Sequence, residues 1–421
     1  MTYIEFFDKT LVENICASLT NPPERVILIG DKKKTLESQA QRYSKILLER
    51  GFEVEFLYKS VNKNNIQNVL DVLSEIIETY EDCVFDLTGG EDIYLVATGI
   101  VFERYKYKNI QMHRFNLHNN TIQDCDLDGK TILESTIPEL SIEENIHIYG
   151  GDIVYDDIKP NTTPLWDFED DFADDIDAMW EICRDDVRLW NTQTGVFAVA
   201  EQLRDPNSDE LTTVVSLFSL KEHLKMTGAN YVFVRRIING LYNAGLINAQ
   251  EDDRYFSITY KNEQVKKCLT KAGQVLEMKI YISALRTCEK DGTYTYNDVM
   301  NGVYIDWDGD IHTEQETHDT ENEIDVMMMH GMVPVFVSCK NGYIDMDELY
   351  KLNTVATRFG GKYAKKVLVA TALDENGDFA KQLRARAKEM RIKVVPSSNN
   401  EKVQDMDDTE LQRIIKSFWS N

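Results

Sequence analysis

Asp325 and Lys340 lie fifteen residues apart in Glu323-Ile324-Asp325-Val326-Met327-Met328-Met329-His330-Gly331-Met332-Val333-Pro334-Val335-Phe336-Val337-Ser338-Cys339-Lys340. Two apolar runs flanking His330-Gly331 read as a β-hairpin. Side chains alternate faces along a strand, so Ser338 and Lys340 share one face, and any even-length turn adds Asp325 to it. A carboxylate beside an ammonium suits metal-dependent phosphodiester hydrolysis. The acid holds a divalent cation against a phosphate, while the lysine steadies the attacking water and the developing charge. Alone, the short pattern fits an edge-strand salt bridge better; other parts of the chain move that balance. Glu277, near the start of an upstream helix, offers a second carboxylate, and the Cys339 carbonyl completes an oxygen-rich set for Mg²⁺ or Mn²⁺. Glu323 shares the face of Asp325 as a spare ligand. The three methionines belong to a core, and His330 is a turn residue without a catalytic role.

A second candidate site is Asp86-Leu87-Thr88-Gly89-Gly90-Glu91-Asp92, after a strand and before an apolar helix over Ile93 to Val101. Its glycines let backbone amides approach a phosphate, the helix N-terminus adds partial positive charge, and the Thr88 hydroxyl can donate. A turn needing glycine only for its backbone angles accounts for the motif equally well. Asp8-Lys9-Thr10 and Gly30-Asp31-Lys32-Lys33-Lys34-Thr35 follow the first two strands and would meet it at one edge of a parallel sheet.

The elements that must position these residues can be read from periodicity. Up to residue 148, expected strands at Tyr3 to Phe7, Arg25 to Ile29, Glu53 to Leu57, Asp82 to Leu87 and Ile110 to Phe115 alternate with helical patterns such as Leu36 to Arg50 and Val69 to Tyr80. That is the signature of a mostly parallel α/β sheet. Residues 149–186 crowd acids round Pro160 and Pro164 and read as an acidic, solvated linker. Residues 187–269 follow winged helix-turn-helix order, with Ser219 to Leu224 and Tyr231 to Ala244 as the helix pair, Thr227-Gly228 as the turn and Tyr255 to Tyr260 in the wing. Arg235 and Arg236 are thin for base reading, so a packing connector is the better account. From 270 to 421 the order is a partly amphipathic helix bearing Leu276, Ile280 and Leu285, the hairpin, a helix from Asp345 to Arg358, a strand from Lys366 to Ala370, a helix from Phe379 to Met390 and a strand from Ile392 to Val395.

The chain has 421 residues and a net charge of −26, which argues against a general nucleic-acid coat. Basic residues concentrate locally: Arg358 to Lys393 holds ten Lys or Arg against four acids. Seven cysteines without a Cys-x-x-Cys pair indicate neither zinc nor disulfides and suggest a reducing compartment. Without a signal peptide or spanning segment the expected location is cytoplasmic, away from membranes.

Taken in order, Asp86-Leu87-Thr88-Gly89-Gly90, Gly273-Gln274-Val275-Leu276-Glu277, Asn322-Glu323-Ile324-Asp325-Val326, Val337-Ser338-Cys339-Lys340 and Gly360-Gly361 resemble the CRISPR ancillary nucleases that join an N-terminal CARF domain to a C-terminal PD-(D/E)XK domain. The resemblance covers nearly the full length. It implies an α/β chain with a Rossmann-like CARF domain, a winged-helix-like connector and a restriction-endonuclease-like α/β domain. It further implies a homodimer that binds a cyclic oligoadenylate, the tetra-adenylate first, and as a type III CRISPR defence endonuclease cleaves DNA, with RNA as a second substrate. By position, Thr88, Gly89 and Gly90 would hold ligand phosphate, with Thr10 and Asn14 beside them and Asp8, Lys9, Gly30 and Lys32 lining the same edge. Glu277 and Asp325 would bind Mn²⁺ or Mg²⁺ with the Cys339 carbonyl, and Lys340 would be the catalytic lysine.

Two departures stand out. Glu91 and Asp92 replace the threonine and lysine that many CARF domains carry, an unfavourable pair beside a tetra-anion unless Lys9 or Lys32 to Lys34 compensate. Ser338 stands where many such nucleases place a second acid, which leaves a one-metal arrangement. A cyclic-adenylate-responsive transcription regulator with an inactive nuclease fold, and an enzyme degrading the cyclic adenylate itself, remain alternatives.

Overall fold

A computed structural model describes residues 1–116, 120–166, 171–226, 234–271, 273–311, 321–373, 377–397 and 401–420, arranged on three sheets. The expected turn Thr227-Gly228, Tyr231 and the acids Asp167, Glu169, Asp170, Asp374 and Glu375 lie outside them.

The first sheet takes β1 (Thr2–Phe6), β2 (Arg25–Gly30), β3 (Glu55–Ser60), β4 (Cys83–Asp86), β5 (Ile110–Asn116), β6 (Thr121–Cys125) and β7 (Thr131–Thr136) in the order β3-β2-β1-β4-β5-β6-β7. The first five strands are parallel, and β6 and β7 add an antiparallel edge that the apolar pattern did not announce. Strands β1 and β2 are almost wholly buried because helices cover both faces: α1 (Glu13–Thr20) and α2 (Lys33–Glu49) on one, α3 (Ile66–Thr79) and α4 (Asp92–Arg104) on the other. Helix α3 starts where Asn65 accepts from the amides of Gln67 and Asn68. The strand order reverses between β1 and β4, so the loops after them part and open a crevice at their carboxyl ends.

Residues 149–186 are not a solvated linker. After α5 (Ile142–Ile148), β8 (Asp152–Ile153) joins the third sheet and α6 (Phe172–Asp185) buries Phe172, Ile176, Met179, Trp180 and Cys183. The acids Asp171, Asp174 and Asp177 interleave with that apolar stripe and masked its helical spacing. Next come α7 (Val187–Gln202), β9 (Thr212–Ser216), α8 (Leu217–Met226), α9 (Arg235–Asn243), β10 (Ile247–Glu251), β11 (Tyr255–Tyr260) and α10 (Glu263–Thr270), with the strands in the order β10-β11-β9.

The third sheet, β16-β15-β14-β13-β12-β8, uses β12 (Asp298–Asp306), β13 (Glu321–His330), β14 (Val333–Lys340), β15 (Lys365–Ala370) and β16 (Ile392–Val395). Helix α11 (Gln274–Leu285) packs on one face; α12 (Asp347–Gly360) and α13 (Asp378–Glu389) pack on the other, and α14 (Asp408–Lys416) closes on α11. Helix α11 is buried all round instead of partly amphipathic, since α6 and α14 cover the side away from the sheet.

Candidate functional site

The hairpin turns at Gly331-Met332, with His330 opposite Val333 and Val326 opposite Val337. That register sets Asp325 against Ser338, and Asp325 Oδ2 accepts from Ser338 Oγ at 3.1 Å and from the Cys339 amide at 2.6 Å. The carboxylate therefore lies in the gap where β13 and β14 part. The Lys340 carbonyl accepts from the Thr371 amide toward β15, so the alternation of peptide groups turns the Cys339 carbonyl toward that gap.

Glu277 reaches the same gap from α11. Gly273, in the left-handed region at φ 84°, starts the helix. Gln274 Nε2 then donates to Asn301 Oδ1, and Asn301 Nδ2 to the Asp325 carbonyl, which ties α11, β12 and β13 together. Ligand oxygens of Glu277, Glu323 and Asp325 all lie within 4.8 Å of one another. Burial, with the Asp325 charge adding to it, pushes the Glu277 carboxyl up to about 8. Burial also raises Asp325, against Lys340 and the Cys339 amide, which lower it. Glu277 Oε2 is buried without a hydrogen-bond partner. Three mutually repelling acids with an orphaned buried oxygen fit a hard divalent cation held by Glu277, Asp325 and the Cys339 carbonyl, with Glu323 at the rim. Glu323 is itself bound by Lys271 at 2.5 Å and Tyr304 Oη at 3.0 Å.

Lys340 Nζ lies 3.5 Å from Asp325 and 3.0 Å from Glu348 on α12. Burial works against its charge, but Asp325 and Glu348 outweigh burial and hold the ammonium above its usual range. Glu348, Asn301, Tyr304 and Lys271 were not singled out from the sequence. Only the acid-x₂-Lys spacing of Glu348 and Lys351 on a helix hinted at a charged face.

The basic stretch does not line this gap. Arg358 is spent on the carbonyls of Tyr149 and Trp307, and Lys362 on Glu13. Lys365, Lys366, Arg384, Lys388, Arg391 and Lys393 instead surround an open cavity of about 550 Å³ along the edge strand β16, shared with Phe418.

At the crevice of the first sheet, Asp8, Lys9, Gly30, Lys32 and Gly90 line one cavity of about 480 Å³ with Asp31, Lys63, Glu91 and Tyr94. Thr88, Gly89, Thr10 and Asn14 support its wall. The Thr88 amide donates to Asp86 Oδ1, and its hydroxyl accepts from the Phe115 amide at 3.0 Å. Asn14 is fully engaged, accepting from the Asp8 amide and donating to the Phe6 carbonyl. Asp8 accepts from the amides of Thr10 and Gly90, so a resident carboxylate occupies a position suited to an anion. Lys63, missed in the sequence, bridges Glu91 at 3.0 Å and Asp31 at 3.4 Å and offsets the acids after the glycines.

In the connector, Arg236 is paired with Asp185 while Arg235 is exposed. All seven cysteines are free. Among the described residues no helix is long and apolar enough to cross a membrane.

No protein-family model and no curated protein matches the chain. Solved structures do. The structure of protein VC1899 from Vibrio cholerae superposes with a TM-score of 0.71 at 17% identity, over 100% of this chain and 99% of that one. Can2 from Sulfobacillus thermosulfidooxidans, solved in complex with cyclic tetra-adenylate, matches with a TM-score of 0.64 at 17% identity, over 99% of both chains. The chain has the fold of these proteins from end to end: a Rossmann-like sheet, a small winged unit and a restriction-endonuclease-like sheet.

Proposed function

We propose that the chain is a divalent-metal-dependent endonuclease activated by a cyclic oligoadenylate, cleaving DNA, with RNA as a second substrate. The observation that carries this reading is the meeting of Glu277, Asp325 and Lys340 in the gap between β13 and β14. The shared fold with a protein solved around cyclic tetra-adenylate supports the activator. Residues 1–148 act as the sensing unit, 149–186 and 187–269 as the connection, and 270–421 as the nuclease unit of a homodimer.

A bound Mg²⁺ or Mn²⁺ would supply charge neutralisation at the phosphate and a more acidic water. Glu277 and Asp325 would hold it, and Ser338 with the Cys339 amide positions the Asp325 carboxylate. Lys340 keeps its proton at Nζ and directs it at the attacking oxygen and the charge growing on the phosphate. Glu348 holds that ammonium in place. In the sensing crevice, Lys9, Lys32, Lys63 and the Thr88-Gly89-Gly90 turn meet the ligand phosphates.

Incubating the protein with Mn²⁺, cyclic tetra-adenylate and supercoiled plasmid or single strands tests the reading. Cleavage that needs both metal and nucleotide is the expected result. Unchanged cleavage by Lys340→Ala would refute the assignment of the site, and sequence-specific binding without cleavage would point to the regulator instead. Chromatography of the nucleotide afterwards should return it intact.

A further inference from the structure

A second cluster of titratable groups lies inside the first sheet, away from the β13–β14 gap and beneath the crevice, which it adjoins through Asp86. Ile4 pairs with Phe85, Asp86 with His113 and His113 with Asp124, so Glu5, Asp86, His113 and Asp124 form one row across four adjacent strands. Glu5, Asp86 and His113 are 0%, 3% and 1% exposed. Neither His113 nitrogen has a hydrogen-bond partner, and the Glu5 carboxyl has only the like-charged Asp86 carboxyl to turn to. Leaving such atoms unpaired in a core is costly, the more so when charged, so the arrangement calls for a ligand or a compensating ion.

The distances say which. His113 Nε2 is 3.6 Å from Glu5 Oε1 and 3.8 Å from Asp86 Oδ2, too long for hydrogen bonds. Donor atoms around one ion with bonds of about 2.1 Å sit ~3.4 Å apart in a tetrahedron, close to this spacing. Asp124 Oδ1 stands 3.9 Å from the other ring nitrogen, beyond hydrogen-bond reach. We propose that Glu5, Asp86 and His113 bind a divalent transition-metal ion of the zinc class. One imidazole and two carboxylates suit zinc better than the all-oxygen set of the nuclease gap, which favours Mg²⁺ or Mn²⁺. Burial penalises the charged forms of two of these groups, raising the Glu5 carboxyl and lowering His113, and a bound cation removes that penalty for Glu5.

The site would act on the sensing crevice through Asp86. Its Oδ2 faces His113, while Oδ1 accepts from the Thr88 amide at 2.7 Å at the head of the Thr88-Gly89-Gly90 turn. The metal would thus clamp the carboxyl end of β4 and preset the turn. This inference does not depend on the nuclease reading.

The test uses full-length protein carrying Glu277→Gln and Asp325→Asn, so that the nuclease gap contributes no tight metal. Protein from zinc-supplemented cells, after dialysis against a weak chelator, should retain about one equivalent of zinc per chain by mass spectrometry. Protein loaded with Co²⁺ should show visible d–d absorption of a site containing nitrogen, and His113→Asn should lose both signals. Should His113→Asn fail to fold, the metal content and cobalt spectrum of the otherwise intact protein decide. Folded protein that holds under a tenth of an equivalent and shows no such bands, or a folded His113→Asn that keeps its metal, overturns the proposal.

Discussion

Glu348 Oε2 lies 3.0 Å from Lys340 Nζ, nearer than Asp325 Oδ2 at 3.5 Å. The lysine at the centre of the proposed site is therefore aimed by an acid on α12 as well as by the strand that carries it. Truncating the lysine and freeing it should have different effects. Lys340→Ala should reduce cleavage to background, while Glu348→Gln should lower kcat about tenfold with nucleotide binding unchanged, the scale of losing one charge-assisted hydrogen bond. Because Glu348 acts through Lys340, the double variant should be no slower than Lys340→Ala, which single-turnover rates on plasmid would show.

Glu277 sets a pH dependence on the metal-free protein. Its carboxyl is pushed from 4.5 up to about 8, so between those values the folded state binds a proton that the unfolded state has released. Stability contributed by that proton is present at pH 4.5 and below and is lost as pH rises through 8. Melting in chelator should thus show Tm falling from pH 5 to 8, with Mn²⁺ restoring it at pH 8. Glu277→Gln should remove this part of the slope, melt above the parent at pH 8 without metal and lack cleavage.

Period-two alternation was enough to place Asp325, Ser338 and Lys340 on one side of a hairpin, and a strand followed by two glycines was enough to mark the Thr88 turn. Both signals are local. Glu348 could not be read because its meeting with Lys340 depends on how α12 docks across β14. Strand β12 was missed because Asn301 and Gly302 interrupt its apolar pattern, Gly302 taking a positive φ of 59°. The ten basic residues of Arg358 to Lys393 read as one patch, yet the fold gives Arg358 and Lys362 to other parts of the chain and spreads most of the rest along an edge strand. Charge counted along a sequence says nothing about which face or end of a sheet receives it.

The two crevice glycines should differ. A Cβ on Gly90 would stand 2.6 Å from Phe6 Cβ, at a φ of 101° that side chains rarely adopt, whereas on Gly89 it would stand 3.0 Å from Asp8 Cβ. Gly90→Ala should cost about 1–3 kcal/mol from the backbone alone and more from the clash. Gly89→Ala should cost less, because the contact is longer and Gly89 is not in the left-handed region. Chemical denaturation followed at the first sheet would rank them, and nucleotide affinity should fall in the same order.

Of the lysines lining the crevice, Lys63 is the one paired with both Asp31 and Glu91. It offsets Asp31 and Glu91 together, so Lys63→Ala leaves two carboxylates facing the phosphates. Calorimetry with cyclic tetra-adenylate should show affinity weakened at least about tenfold at low salt, with the difference shrinking as salt rises. Adding Glu91→Gln to Lys63→Ala should recover part of the loss.

Glu13 connects the crevice to the third sheet. Its carboxylate is buried at the start of α1, within 3.6 Å of the Cβ position of Gly89, and binds Lys362 Nζ at 2.8 Å and Tyr363 Oη at 2.5 Å, just before β15. On the proposed function, a polyanion arriving above Gly89 should weaken the hold of Glu13 on Lys362 by offering the ammonium a competing partner. Because β15 is hydrogen-bonded to β14, whose last residue is Lys340, a shift of Lys362 and Tyr363 would pass along the sheet to the strand that carries Lys340. Glu13→Gln keeps the shape and removes the charge that the ligand must compete with. It should raise cleavage without nucleotide and narrow the activation ratio several-fold, with nucleotide binding retained. Plasmid cleavage with and without cyclic tetra-adenylate, alongside calorimetry, measures both quantities, and an unchanged ratio would exclude Glu13 as the link.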